Sequence, residues 1–185
     1  KNNILVTFHP VTLETGTAKI QFQELLNVID ELKETNIIFT KANSDTDGRI
    51  INKMIDEYVA KNNNKSALFN SLGQLRYLSA LKYVDAVVGN SSSGLLEAPS
   101  FKIGSINIGD RQKGRIKAGS IIDSLPDKTS IKNAFKLLYS KDFQLIIQKS
   151  ENPYGSGYAS KKIVKIIKDS SLHNIIKKSF YNISH

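Results

Sequence analysis

Short apolar runs alternate with amphipathic stretches along most of the chain. Ile4-Leu-Val-Thr-Phe8 is rich in β-formers and stops at His9-Pro10. Past Gly16, Phe22, Leu25, Leu26, Ile29 and Leu32 recur with helical spacing. A second strand is expected at Asn36–Thr40, and a second amphipathic helix through Ile51, Met54, Ile55 and Tyr58. Ser66–Phe69 reads as a third strand, followed by a helix through Leu75, Leu78 and Leu81. Val84–Val88 reads as a fourth, running into Gly89-Asn-Ser-Ser-Ser-Gly94 and a short helix disrupted near Pro99. Ser105–Ile108 is expected as a fifth strand, and Gly109–Gly119 as a glycine-punctuated basic loop. Ile131, Ala134, Phe135 and Leu138 predict a helix over 130–139, and Ile163 to Ile176 one or two more at the end.

Four- or five-residue strands alternating with longer helices are the signature of βαβ units. Right-handed crossovers then require a mostly parallel sheet with helices on both faces, an α/β Rossmann-like fold. Ligands of such sheets bind beyond the carboxyl ends of the strands. The informative loops are therefore those after Phe8, Thr40, Phe69, Val88 and Ile108, and these carry the unusual polar residues.

Composition narrows the chemistry. The chain has 185 residues, room for one substantial core, with 40% hydrophobic and 23% charged residues, as in a globular domain. It has no cysteine, which excludes disulfides, thiolate metal sites and cysteine nucleophiles. Its three histidines are His9, His173 and His185, too few and too scattered for a zinc site, so no metal is expected. The net charge is +9, but the basic residues are scattered, with no aromatic-interleaved patch for nucleic acid. There is no run of 18 apolar residues and no signal-peptide pattern, so a membrane role is not expected. The chain starts at Lys1 and not at methionine, which reads as a piece of a longer polypeptide.

The loops carry the candidate residues, each with two readings. Ser91, Ser92 and Ser93 at a helix start either hold a phosphate with the free N–H groups or act as plain caps. Glu97, read as lying inside that helix, either accepts the hydroxyls of a ribose or favours the helix dipole. His9, extended before Pro10, either donates to a ligand or is a half-buried structural residue. Arg111 and Arg115 are candidate clamps for phosphate, although Asp110 and Arg111 could instead pair with each other. Asn43 and Asp45 suit either sugar hydroxyls or a simple turn.

Three segments together carry a resemblance. Thr7-Phe8-His9-Pro10-Val-Thr-Leu-Glu14, Gly89-Asn-Ser-Ser-Ser-Gly94 with Glu97-Ala-Pro99, and Asn107-Ile-Gly-Asp-Arg-Gln-Lys-Gly-Arg115 resemble the carboxyl-terminal domain of the UDP-N-acetylglucosamine 2-epimerases. The likeness is greatest to the hydrolysing branch of sialic and related nonulosonic acid synthesis. Where the non-hydrolysing bacterial branch is arginine-rich, this chain has Pro10-Val11-Thr12.

That resemblance implies half of a two-Rossmann-domain, glycosyltransferase-like (GT-B) fold. Residues 1–170 would form the UDP-binding domain, and residues 171–185 a terminal helix bracing an amino-terminal domain of the same polypeptide. The implied reaction converts UDP-N-acetylglucosamine and water to UDP and N-acetylmannosamine through a glycal. A non-hydrolysing 2-epimerase or a glycosyltransferase donor domain is the alternative. By the same likeness, His9 assists departure of UDP, Ser91, Ser92 and Ser93 hold its phosphates, Glu97 its ribose, and Arg111 supports phosphate or sugar contacts. Ser71, Leu72 and Gly73 would lie near the uracil. No cofactor is implied; the implied setting is a cytoplasmic homo-oligomer, and this chain alone is expected to be inactive.

Overall fold

The computed structural model describes residues 1–11, 16–43, 46–173 and 176. The chain divides into two units, Lys1–Tyr154 and Gly155–His185. The expected boundary at residues 170–171 lies inside the second.

The first unit contains six strands among its described residues: β1 (Asn2–Thr7), β2 (Thr35–Thr40), β3 (Ser66–Phe69), β4 (Ala86–Gly89), β5 (Gly104–Ile108) and β6 (Ile121–Ser124). All pairings are parallel, in the order β3-β2-β1-β4-β5-β6. This is a doubly wound order. The chain builds outward from β1 to β3, returns to the centre at β4, and builds outward the other way. Loops after β1 and β4 therefore leave in opposite directions and open a crevice between them. The connecting helices are α1 (Ala18–Glu31), α2 (Thr46–Lys61), α3 (Gly73–Ala80) and α4 (Ser93–Leu96), the last followed by a 3-10 turn at Ala98–Phe101; α5 (Lys128–Leu138) and α6 (Lys141–Lys149) follow β6.

Strand alternation divides the core in two. Ile4, Val6, Ile37, Phe39, Val88 and Ile106 face one side and pack with Phe22, Leu25, Ile51, Ile131 and Phe135 from helices. Leu5 and Val87 face the other, into a smaller cluster with Leu81, Val84 and Ala98. The thinner layer is the one that carries α3 and the segment after β4, and both reach the crevice.

Two elements were absent from the sequence reading. β6 follows the basic loop, and α6 follows α5 after Tyr139 and Ser140 alone. Each helix start is marked by a cap: Asp127 accepts from the Ser130 N–H at 2.9 Å and Ser140 from the Phe143 N–H at 3.2 Å. In the second unit α7 (Ala159–Asp169) forms at the expected isoleucines. The tail expected at 171–185 falls mostly outside the described residues, as does His185.

Helices α1 and α5 are tied by Glu31, which meets Lys128 Nζ at 2.7 Å and Lys132 Nζ at 2.6 Å. Hydrogen bonds from Lys128 and then Lys132 pull its carboxyl down to about 2. A depressed carboxyl contributes stability that is complete above its unfolded value, near 4.5, and lost as pH falls through about 2. Glu31→Gln is thus expected to flatten the loss of stability between pH 5 and pH 2, roughly the window of that linkage. A carboxyl NMR titration of Glu31 with an ordinary midpoint would contradict this.

Candidate functional site

An open cleft of about 670 Å³ lies at the carboxyl ends of β1 to β4. Its floor is made by Thr7 and Thr40, the last residues of neighbouring strands, whose hydroxyls meet at 2.5 Å. Two asparagines hold the loops above it in the same manner. Asn52 of α2 accepts from the Ala42 N–H at 2.8 Å and donates to the Ala42 carbonyl at 3.1 Å, fixing the loop after β2. Asn90 accepts from the His9 N–H at 2.7 Å and donates to the His9 carbonyl at 2.7 Å, fixing the loop after β1.

Asn90 is 1% exposed and links three segments. Its own carbonyl accepts from Gln112 Nε2 at 2.8 Å and from Arg111 Nη1 at 3.1 Å, which joins the loop after β5 to the serine loop. The tight return of the chain depends on Gly89, whose φ of +131° suits glycine and whose position would put a Cβ 2.0 Å from the Thr7 carbonyl oxygen. Asn90→Ala would strip partners from the backbone of His9 in a buried place. A loss of about 2–4 kcal/mol is expected in urea denaturation; under ~1 kcal/mol would show that the clamp is dispensable.

The serine loop turns out shorter than the sequence suggested. α4 ends at Leu96, so Glu97 closes it and starts the 3-10 turn in place of sitting inside the short helix expected there. Pro99, at the front of that turn, accounts for the change. A single turn of helix has little macrodipole, so any anion here would be held by individual N–H and hydroxyl donors. The capping reading fits Ser91 best, since its Oγ accepts from the Ser93 N–H at a long 3.4 Å. Ser92, the residue before α4, makes no capping bond with its side chain.

The cleft brings together much of what the sequence singled out. His9, Asn43, Ser71, Leu72, Gly73, Ser91, Ser93 and Glu97 all line it. Gly73 turns the loop after β3 with φ +63°, its N–H meeting Ser71 Oγ at 3.1 Å. Ser92, Arg111 and Arg115 are not among the lining residues. Arg111 instead donates to the Asn90 carbonyl, and Asp110 pairs with Lys113 at 3.7 Å in solvent. Asp45 lies outside the described residues. Lys41 also lines the cleft, but its ammonium is engaged by Asp56 at 2.8 Å.

Polar atoms on one wall stand out. Ser93 Oγ, Glu97 Oε2 and Tyr77 OH are buried and have no hydrogen-bond partner among the described residues. Burial raises the Tyr77 phenol, the Ser93 hydroxyl opposes that, and the Glu97 carboxylate adds to it. The sequence reading did not select Tyr77. Its one available signal is its place four residues after Gly73, on the same face of α3. Among the described residues no three His, Asp or Glu gather as a metal site, and no helix is long and apolar enough to cross a membrane.

Comparison with known proteins adds three findings. Residues 1–168 match the family described as UDP-N-acetylglucosamine 2-epimerase. A Campylobacter jejuni protein named GDP/UDP-N,N'-diacetylbacillosamine 2-epimerase (hydrolyzing) is 42% identical over 184 residues, 99% of this chain and 47% of its own length. The polysialic acid biosynthesis protein P7 of Escherichia coli is 40% identical over 188 residues, with 99% and 47% covered. The chain thus spans about half the length of the curated relatives it matches. Among solved structures, the Neisseria meningitidis UDP-GlcNAc 2-epimerase bound to UDP-GlcNAc has the same fold, with a TM-score of 0.74 at 17% identity, covering 92% of this chain and 45% of that one.

Proposed function

The chain belongs to the UDP-N-acetylglucosamine 2-epimerase family, and from that premise we propose that its cleft holds the UDP half of a UDP-linked N-acetylamino sugar undergoing 2-epimerisation. The observation that carries this reading is the convergence of His9, Ser91, Ser93 and Glu97 on one cleft beside the β1–β4 switch point. In this reading the diphosphate lies on Ser91 and Ser93 and the ribose hydroxyls donate to Glu97. His9 faces the bridging oxygen, and Ser71 to Gly73 flank the uracil. Asn43 and Asp45 are left for the sugar. Arg111 contributes mainly by fixing the Asn90 carbonyl, with Arg115 and Ser92 as outer contacts.

The chemistry suits such donors. Breaking the anomeric C–O bond leaves charge on the diphosphate, and groups fixed around that charge stabilise the transition state more than the bound substrate. Proton removal at C2 needs a base within hydrogen-bond reach. Glu97 is assigned to the ribose here, so we assign that base to the remainder of the protein, in an amino-terminal domain that closes a GT-B-like cleft.

Two outcomes at the anomeric carbon are compatible with this site. Water adding to the glycal gives a free N-acetylmannosamine-type sugar, which the name of the Campylobacter relative and the Pro10-Val11-Thr12 segment favour. Return of UDP gives a UDP-linked epimer, which the plain description of the family favours. The test is product analysis by NMR of the full-length protein with UDP-N-acetylglucosamine and its N,N'-diacetylbacillosamine counterpart. Free epimer supports hydrolysis, and UDP-linked epimer the alternative. Strict dependence on an acceptor sugar would sink both in favour of a glycosyltransferase.

A further inference from the structure

Tyr77 has no role in that account, yet its surroundings are unusual. Its ring packs on the smaller core with Leu5, Leu81, Val87 and Ala98, so its direction is set by apolar contacts. Its hydroxyl interacts electrostatically with Ser93 and Glu97 at the cleft wall, and each of the three side chains carries a buried polar atom with no partner of hydrogen-bond geometry among the described residues. A buried phenol normally finds a partner, and leaving one unpaired is a net cost that phenylalanine would avoid at the same volume. Three such atoms at one spot, two hydroxyls that can donate or accept and one carboxylate oxygen that accepts, are what a single ligand hydroxyl would complete.

Building on the nucleotide reading above, we propose that Tyr77 is a specificity-determining residue of the cleft. After a small side-chain rotation, its hydroxyl donates to a ribose hydroxyl that itself donates to Glu97, so the cleft selects a ribonucleotide over a deoxyribonucleotide. The hydroxyl group then has a partner only when ligand is present. Burial raises the phenol above its ordinary value, which preserves it as a donor.

The experiment is calorimetric titration of the full-length protein and its Tyr77→Phe variant with UDP, 2'-deoxy-UDP and 3'-deoxy-UDP, together with ligand-free melting. Tyr77→Phe is expected to weaken UDP about fivefold and to leave one deoxy analogue unchanged, which narrows the preference between them. The ligand-free Tm is expected to hold or rise, because no internal bond is lost. Equal weakening of all three ligands, no weakening of any, or a clear fall in the ligand-free Tm would each overturn the proposal while leaving the nucleotide site intact. If the wild-type protein does not bind UDP, the nucleotide reading fails first and this inference with it.

Discussion

Gly89→Ala is expected to lose about 4 kcal/mol or more of folding stability, the top of the range for single substitutions. Two independent costs combine. At φ +131° an L side chain sits in a region that only glycine occupies with ease, worth roughly 1–3 kcal/mol. The added Cβ would also stand 2.0 Å from the Thr7 carbonyl oxygen and 2.8 Å from its carbon, and these belong to backbone, which cannot rotate aside. Relief requires separating β4 from β1, the central pair of the sheet, where Thr7 is in register with Gly89. Equilibrium urea denaturation reads this directly. A loss below ~1 kcal/mol would mean that the two strand ends are not held as described.

Glu97→Gln is expected to act on binding and leave the fold alone. In the proposed site the carboxylate accepts two ribose hydroxyls, and bonds to a charged acceptor contribute about 1.5–3 kcal/mol each. The amide keeps one acceptor oxygen and loses the charge, so UDP affinity of the full-length protein should drop about 30-fold. Its ligand-free Tm should not fall, since Glu97 Oε2 has no partner to lose among the described residues. Calorimetric affinity within threefold of wild type would remove the ribose from Glu97.

The parts of the fold that were legible are those whose pattern is dense. β1, β2, β4 and β5 are buried along most of their length, and α1 repeats its apolar positions through six buried residues. β6 is an edge strand in which Ile122 and Ser124 are buried while Asp123 is exposed, so its pattern is brief and half polar. α6 buries only Phe143 and Ile147, a single i, i+4 pair that periodicity cannot separate from a continuation of α5. Its Ser140 cap was the available clue.

The site divides in the same way. His9, Ser91, Ser93 and Glu97 could be singled out because they lie just beyond the carboxyl ends of β1 and β4, where polar residues need an explanation. Asn90 and Gln112 were not, because their partners are backbone groups of residues 81 and 22 positions away. Tyr77 escaped because an aromatic side chain at helical spacing reads as core. Arg111 was selected for its charge, and the geometry gives it a carbonyl to hold.

The Asn90 linkage has one more consequence. Because the buried side-chain amide of Asn90 binds the end of β1 to the turn after β4, and the main-chain carbonyl of the same residue receives the loop after β5, the histidine and serine side of the cleft stands assembled before anything enters it. An incoming nucleotide would find that side rigid and surrender little chain entropy there. What adjustment remains falls to the loop after β3, which lines another part of the cleft.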